Sequence, residues 1–123
     1  VTVLLVLVGG AVGAPARYLL DRWVQSRHAA IVPWGTFVVN AVGSLVLGLT
    51  AGAVTGAGGP DWLLVLVGTG FCGALTTFST FGYEVVRLVE EGAVRAGGGY
   101  VVLSVAVGLV AAAGGWSLAS SLV

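Results

Sequence analysis

Lysine is absent from this chain, whose basic side chains are five arginines and one histidine. Nowhere do they form a run dense enough for nucleic acid or for a polybasic platform on anionic lipid, so neither partner is indicated. Charged residues of both signs make up only 8% of the sequence, against roughly 25% in a soluble domain. The single Cys72 cannot make an internal disulfide and says nothing of redox compartment. Residues 2–20 hold no Asp or Glu, which leaves the first apolar block without a carboxyl to exchange protons. The N-terminus lacks a basic leader and a small-residue cleavage pattern, which predicts a retained span rather than a removable signal.

What remains is strongly apolar. Hydrophobic residues are 58% of the chain and the mean hydropathy is +1.07, which defines an all-α integral membrane protein. At about 20 residues per spanning helix, 123 residues accommodate four spans, short connections and no soluble domain of any size. The apolar blocks run over residues 2–20, 34–54, 62–89 and 98–122. Between them lie a connection carrying Arg27 and His28, a glycine-rich TGAGGPD turn, and the Glu90-Glu91 pair. Trp23, Trp34, Trp62 and Trp116 fall near block ends, where amphipathic rings sit at headgroup level. Glycines recur four apart at Gly9 and Gly13 and at Gly48, Gly52 and Gly56, a spacing that lets helices approach closely in lipid and predicts packing, including against another subunit.

Polar residues inside spans are costly and therefore informative. Thr36, Asn40 and Ser44 form a stripe on the second block, and Tyr100 and Ser104 share a face of the fourth. Taken alone, Asn40 reads equally as an interhelical hydrogen bond or as a lining of a polar path, and the Tyr100–Ser104 pair as packing or as pore. The sharpest segment is GFCGALTTFSTFGYE at residues 70–84. A Gly-Thr-Thr interruption within a spanning block is tolerable only when buried in protein or lining a cavity, so the third helix is predicted to be broken near mid-membrane. Phe78 and Phe81 follow on one helical face, interleaved with Thr76, Thr77, Ser79 and Thr80. Aromatic edges carry positive potential, so this mixture suits a partly dehydrated anion.

These residues, with GGAVGAPARY at 9–18 and GTFVVNAVGSLVLG at 35–48, resemble the Fluc (CrcB) family of small bacterial fluoride channels over almost the whole chain. The resemblance implies an antiparallel dimer in the bacterial plasma membrane, two pores each lined by both subunits, and a structural sodium ion at the dimer centre. It implies that Gly73 and Thr76 bind the sodium through backbone carbonyls and that Asn40, Phe78, Phe81, Tyr100 and Ser104 line the fluoride pore. Thr77 and Thr80 join them as further hydroxyls. Arg17 and Glu84 match family positions at which anchoring and a vestibular role both stand, and Glu84, Arg87 and Glu90 read as an ion-pair ladder. Cys72 and His28 read as filler and a loop residue.

The implied activity is passive, fluoride-selective conduction that lowers cytoplasmic fluoride, and not an enzymatic reaction. A proton-coupled exporter of the small multidrug type would have similar size, but it needs the carboxyl missing from residues 2–20. A non-conducting or half-conducting structural subunit of a two-gene channel is the other alternative. Its expected mark is erosion of the pore residues, all of which are present. All five arginines flank the connections between spans one and two and between spans three and four, and none flanks the opposite side. Arg and Lys set topology, which predicts one fixed orientation with both termini outside and favours a separately encoded homologue over an identical chain as the antiparallel partner.

Overall fold

The computed structural model describes residues 1–27 and 32–122, all of it helix and short connection. His28 lies outside the described residues. Helix α1 runs Thr2–Arg27, α2 Trp34–Ala57, α3 Asp61–Leu63, α4 Gly73–Leu75, α5 Phe78–Glu90 and α6 Val94–Leu122, with a π-helical stretch, Leu64–Cys72, between α3 and α4. Grouped by length and apolarity they give four membrane-crossing segments, the third being Asp61–Glu90.

Sequence punctuation explains most of the boundaries. Pro33 stands at the start of α2, and Gly58, with φ 64° in the left-handed region, ends it. Gly92 (φ 84°) does the same after α5. Helix α1 does not stop where its apolar block stops: residues 21–27, read from sequence as connection, continue the helix and bury Val24. Polar residues there end the apolar stretch without ending the backbone ladder, because none is a helix breaker.

Two seams hold the helices. In α2, a Cβ at Gly48 or Gly52 would run into the backbone of Ala112 or Trp116 on α6, and one at Gly115 into Leu45. In α1, Gly9 and Gly13 lie directly on the backbone of the π-helical stretch at Leu66 and Phe71. Four-residue glycine spacing thus becomes two close backbone crossings, whereas Gly56 is exposed. Among the described residues the enclosed side chains are few, Leu75, Leu88, Val39 and Tyr100 the most deeply buried of the larger ones, and much of the apolar surface faces outward, toward lipid or a partner.

Candidate functional site

Helical geometry lapses for two residues between α4 and α5. Thr76 (φ −82°, ψ 162°) and Thr77 (φ −150°, ψ 124°) are both extended. An extended pair inside an apolar segment needs substitute hydrogen bonds, and Asn40 supplies them. The Thr77 N–H donates to Asn40 Oδ1 at 2.8 Å, while Asn40 Nδ2 donates to the Thr77 carbonyl at 3.1 Å. The interhelical reading of Asn40 is therefore realised, and among the described residues one of its two N–H donors remains uncommitted. Thr77 also caps α5, its Oγ1 accepting from Thr80 N at 3.2 Å and donating to Thr80 Oγ1 at 3.0 Å.

These bonds account for two of the carbonyls released at the break. In a continuous α-helix Thr77 N–H would serve the Gly73 carbonyl and Thr80 N–H that of Thr76. Both donors are turned elsewhere, to Asn40 and to the Thr77 hydroxyl. Thr76 itself is held on the α4 side, its N–H and Oγ1 both donating to the Cys72 carbonyl at 2.9 and 2.8 Å. Its methyl fills the space left by Gly43, one turn beyond Asn40 on α2. Sequence reading missed Gly43; the signal was a small residue three places after an intramembrane asparagine.

A cavity of about 390 Å³ opens on this break, lined among others by Asn40, Gly73, Thr76, Thr77, Phe78, Phe81 and Ser104. Five of the seven expected pore residues share it. Of the remaining two, Tyr100 backs the cavity without lining it, its ring 5.2 Å from that of Phe81 between centroids. Thr80 faces a second cavity. Phe78 and Phe81 lie 6.1 Å apart between centroids, tilted by 38°, and Phe78 is 84% exposed. The Tyr100 hydroxyl and Ser104 Oγ are buried with no hydrogen-bond partner among the described residues.

The second cavity, about 260 Å³, is lined by Arg17, Tyr18, Asp21, Thr36, Thr77 and Thr80 with Ala14 and Val39. Thr77 borders both, so the Asn40–Thr77 clamp is the partition between them. The stripe on α2 divides accordingly, Thr36 facing the second cavity and Asn40 and Ser44 the first. Asp21, the first residue after the apolar block at 2–20, presses its carboxylate against Gly35 in the first turn of α2. Glu84 departs from the expected ladder: among the described residues no salt bridge joins it to Arg87. It is turned inward beside Thr36 and Tyr100, with Oε1 buried and without a hydrogen-bond partner among the described residues. Three-residue spacing from Arg87 places these two side chains on neighbouring stripes, and the inward stripe offers Glu84 hydroxyl neighbours that Arg87 cannot match.

Fold and site together define a multi-pass membrane protein whose third spanning segment lapses into extended backbone beside an open polar and aromatic cavity. The chain belongs to the CrcB-like family, described as CrcB-like protein, Camphor Resistance (CrcB), whose model matches residues 4–116. It is 54% identical over 114 residues to the fluoride-specific ion channel FluC 1 of Streptomyces avermitilis, covering 92% of each chain. It is 51% identical to the FluC 1 protein of Frankia casuarinae, covering 97% of this chain and 96% of that one. Against the FluC 2 protein of Rhodococcus jostii the identity is 48%, over 97% and 99% of the two chains.

Proposed function

We propose that this chain is a subunit of a fluoride-selective passive channel of the bacterial plasma membrane, not an enzyme, working as an antiparallel dimer with its third helix broken near mid-membrane. The observation that carries the reading is the composition of the larger cavity. It joins the two phenylalanine rings to the free Asn40 N–H and to the Ser104 hydroxyl beside an open break. A small anion there exchanges water stepwise for N–H, O–H and aromatic C–H donors. None of these carries a full charge, so each contact is weak enough to permit exit. Relatives named as fluoride-specific channels over nearly their full lengths support the choice of ion.

Incompleteness within one chain supports the dimer. Phe78 is 84% exposed and the cavity is open on one side, as expected where a second subunit supplies the facing wall. That relatives are numbered FluC 1 and FluC 2, together with the one-sided arginines, favours a separately encoded partner over an identical chain. Cysteine labelling at Thr55 and Ala96 in intact cells tests this. Each site should react from one side only, and comparable reaction of each from both sides would restore the homodimer.

The donor set also fits a sodium ion. The carbonyls of Gly73 and Thr76 are among those at the break whose helical N–H donors are turned elsewhere, and carbonyl oxygen suits a hard cation. A Cβ at Gly73 would meet nothing within 4 Å, so that side of the break is open to a partner's equivalent. When bound there, sodium supplies a fixed positive charge at the subunit junction. Thr76→Ser, which keeps the hydroxyl bond to Cys72, should be tolerated better than Gly73→Val. Fluoride efflux from liposomes holding the purified channel, with and without a co-purified partner, tests the whole proposal; absence of flux in both would overturn it.

A further inference from the structure

The last turns of α1 carry two arginines that no pore or packing role employs. The Arg22 guanidinium lies 5.6 Å from the centroid of the Tyr18 ring and donates to the Tyr18 hydroxyl at 3.0 Å. Arg27 lies 4.6 Å from the Trp23 ring centroid. Each ring sits four residues before its arginine, so the same pairing is built twice in succession. At about 100° per residue, Arg22, Trp23 and Arg27 fall on one outward half of the helix. Asp21 and Arg17 turn the other way, into the second cavity. The nearest acid in sequence is thereby removed from this face, its carboxylate held against Gly35.

Below the arginines the same half is apolar and open, with Val8 50%, Val12 58% and Leu19 65% exposed. Along the helix this face passes from aliphatic residues, Val8 to Leu19, to an interleaved aromatic and cationic stretch, Tyr18 to Arg27, which follows the depth profile of a phospholipid from acyl chain to headgroup. Stacking restrains each guanidinium while leaving in-plane N–H donors for a phosphate fork, so less side-chain freedom is lost when phosphate binds. Charge complementarity selects an anionic headgroup.

We infer that the outward half of the C-terminal turns of α1 is a binding site for anionic phospholipid, with the phosphate held by Arg22 and Arg27 and the acyl chains along Leu19, Val12 and Val8. No polybasic tract is involved, which is why composition gives no sign of it. The inference rests on the chain spanning a membrane and not on which ion it conducts.

The test uses the full-length channel with Trp34, Trp62 and Trp116 changed to Phe, leaving Trp23 as reporter. It is reconstituted in phosphatidylcholine vesicles containing either brominated phosphatidylglycerol or brominated phosphatidylcholine, and quenching is followed against mole fraction. Brominated phosphatidylglycerol should quench Trp23 at a mole fraction at least about fivefold lower, roughly the effect of one arginine at an anionic surface. Arg22→Gln with Arg27→Gln should abolish that preference. Arg22→Lys with Arg27→Lys, which keeps charge but loses the planar fork, should retain part of it, and Arg95→Gln all of it. Should the double glutamine variant not assemble, unbrominated phosphatidylglycerol should relieve the quenching in the reporter protein where phosphatidylcholine does not. Equal quenching by the two lipids, or a preference that survives loss of both arginines, would overturn the inference.

Discussion

The α2–α6 seam and the α4–α5 break are built from the same residue types and finish differently. In the seam, Gly48 and Gly52 bring α2 onto the α6 backbone so closely that no Cβ fits, and the contact is complete within one chain. At the break, a Cβ at Gly73 would meet nothing within 4 Å, Phe78 is 84% exposed, and the hydroxyls of Tyr100 and Ser104 lack partners among the described residues. Small residues therefore close one region and open the other. What separates them is hydrogen bonding: the seam's backbone groups are satisfied along their helices, whereas the break hands two N–H groups to side chains and frees carbonyls at the end of α4, those of Gly73 and Thr76 among them.

A bulky substitution at each region should divide them most sharply. Gly52→Val forces a β-branched side chain against the Trp116 backbone, where overpacking costs about 1–3 kcal/mol or more. The expected outcome is loss of folded protein on size-exclusion chromatography in detergent. A Cβ at Gly73 meets nothing within 4 Å in the chain, so with Gly73→Val folded protein should survive while the dimer fraction and fluoride flux fall at least about tenfold, a cost of about 1.4 kcal/mol at the junction. Equal loss of folded protein in both would erase the distinction between the regions.

Next in size is the clamp. Asn40→Asp removes the N–H that serves the Thr77 carbonyl and places an acceptor against an acceptor, a penalty of about 1–3 kcal/mol. Its carboxylate also repels an anion in the larger cavity. Fluoride efflux should collapse, and the melting temperature of the detergent-solubilised protein should drop. An unchanged flux would remove Asn40 from the path.

The aromatic pair comes third, because its loss should spare assembly. Phe78→Ile and Phe81→Ile keep hydrophobic volume but delete the positive ring edge. Phe81→Ile also loses the contact with Tyr100, worth about 0.5–1.5 kcal/mol, so it should be the less stable of the two. Flux in both should become undetectable in liposomes at unchanged dimer content; normal conduction would sink the proposed pore.

Legibility in the sequence follows the range of the interactions involved. Four spanning segments were readable because hydropathy is a local property, and the hydroxyl cluster at Thr76 and Thr77 stood out because it interrupts an apolar run. The polar stripe on α2 was also visible, since a four-residue spacing sets a helical face without knowledge of neighbours. Three features were not. The π-helical stretch at Leu64–Cys72 leaves no mark in residue type, since its glycines serve close packing on α1 as well. The inward turn of Glu84 depends on Thr36 and Tyr100, which are distant in sequence. The continuation of α1 to Arg27 buries only Val24 beyond the apolar block, too little for a periodic signal.

The smallest expected effect concerns Asp21, the acid that sequence reading passed over. It shares the second cavity with Arg17 and three threonine hydroxyls, on the far side of the Asn40–Thr77 partition from the phenylalanines. The carboxylate offsets the arginine there, so an anion approaching through this cavity meets less attraction than Arg17 alone would exert. Asp21→Asn keeps the shape and removes the charge, and should raise fluoride efflux two- to fivefold, or about 0.4–1 kcal/mol. Added salt screens the remaining field, so the gain should shrink as ionic strength rises. In an Arg17→Gln background the same substitution should raise flux less, because the two charges act on one cavity. A gain that ignores salt, or a loss in its place, would assign Asp21 to holding α1 against the first turn of α2 and leave the second cavity out of the ion's path.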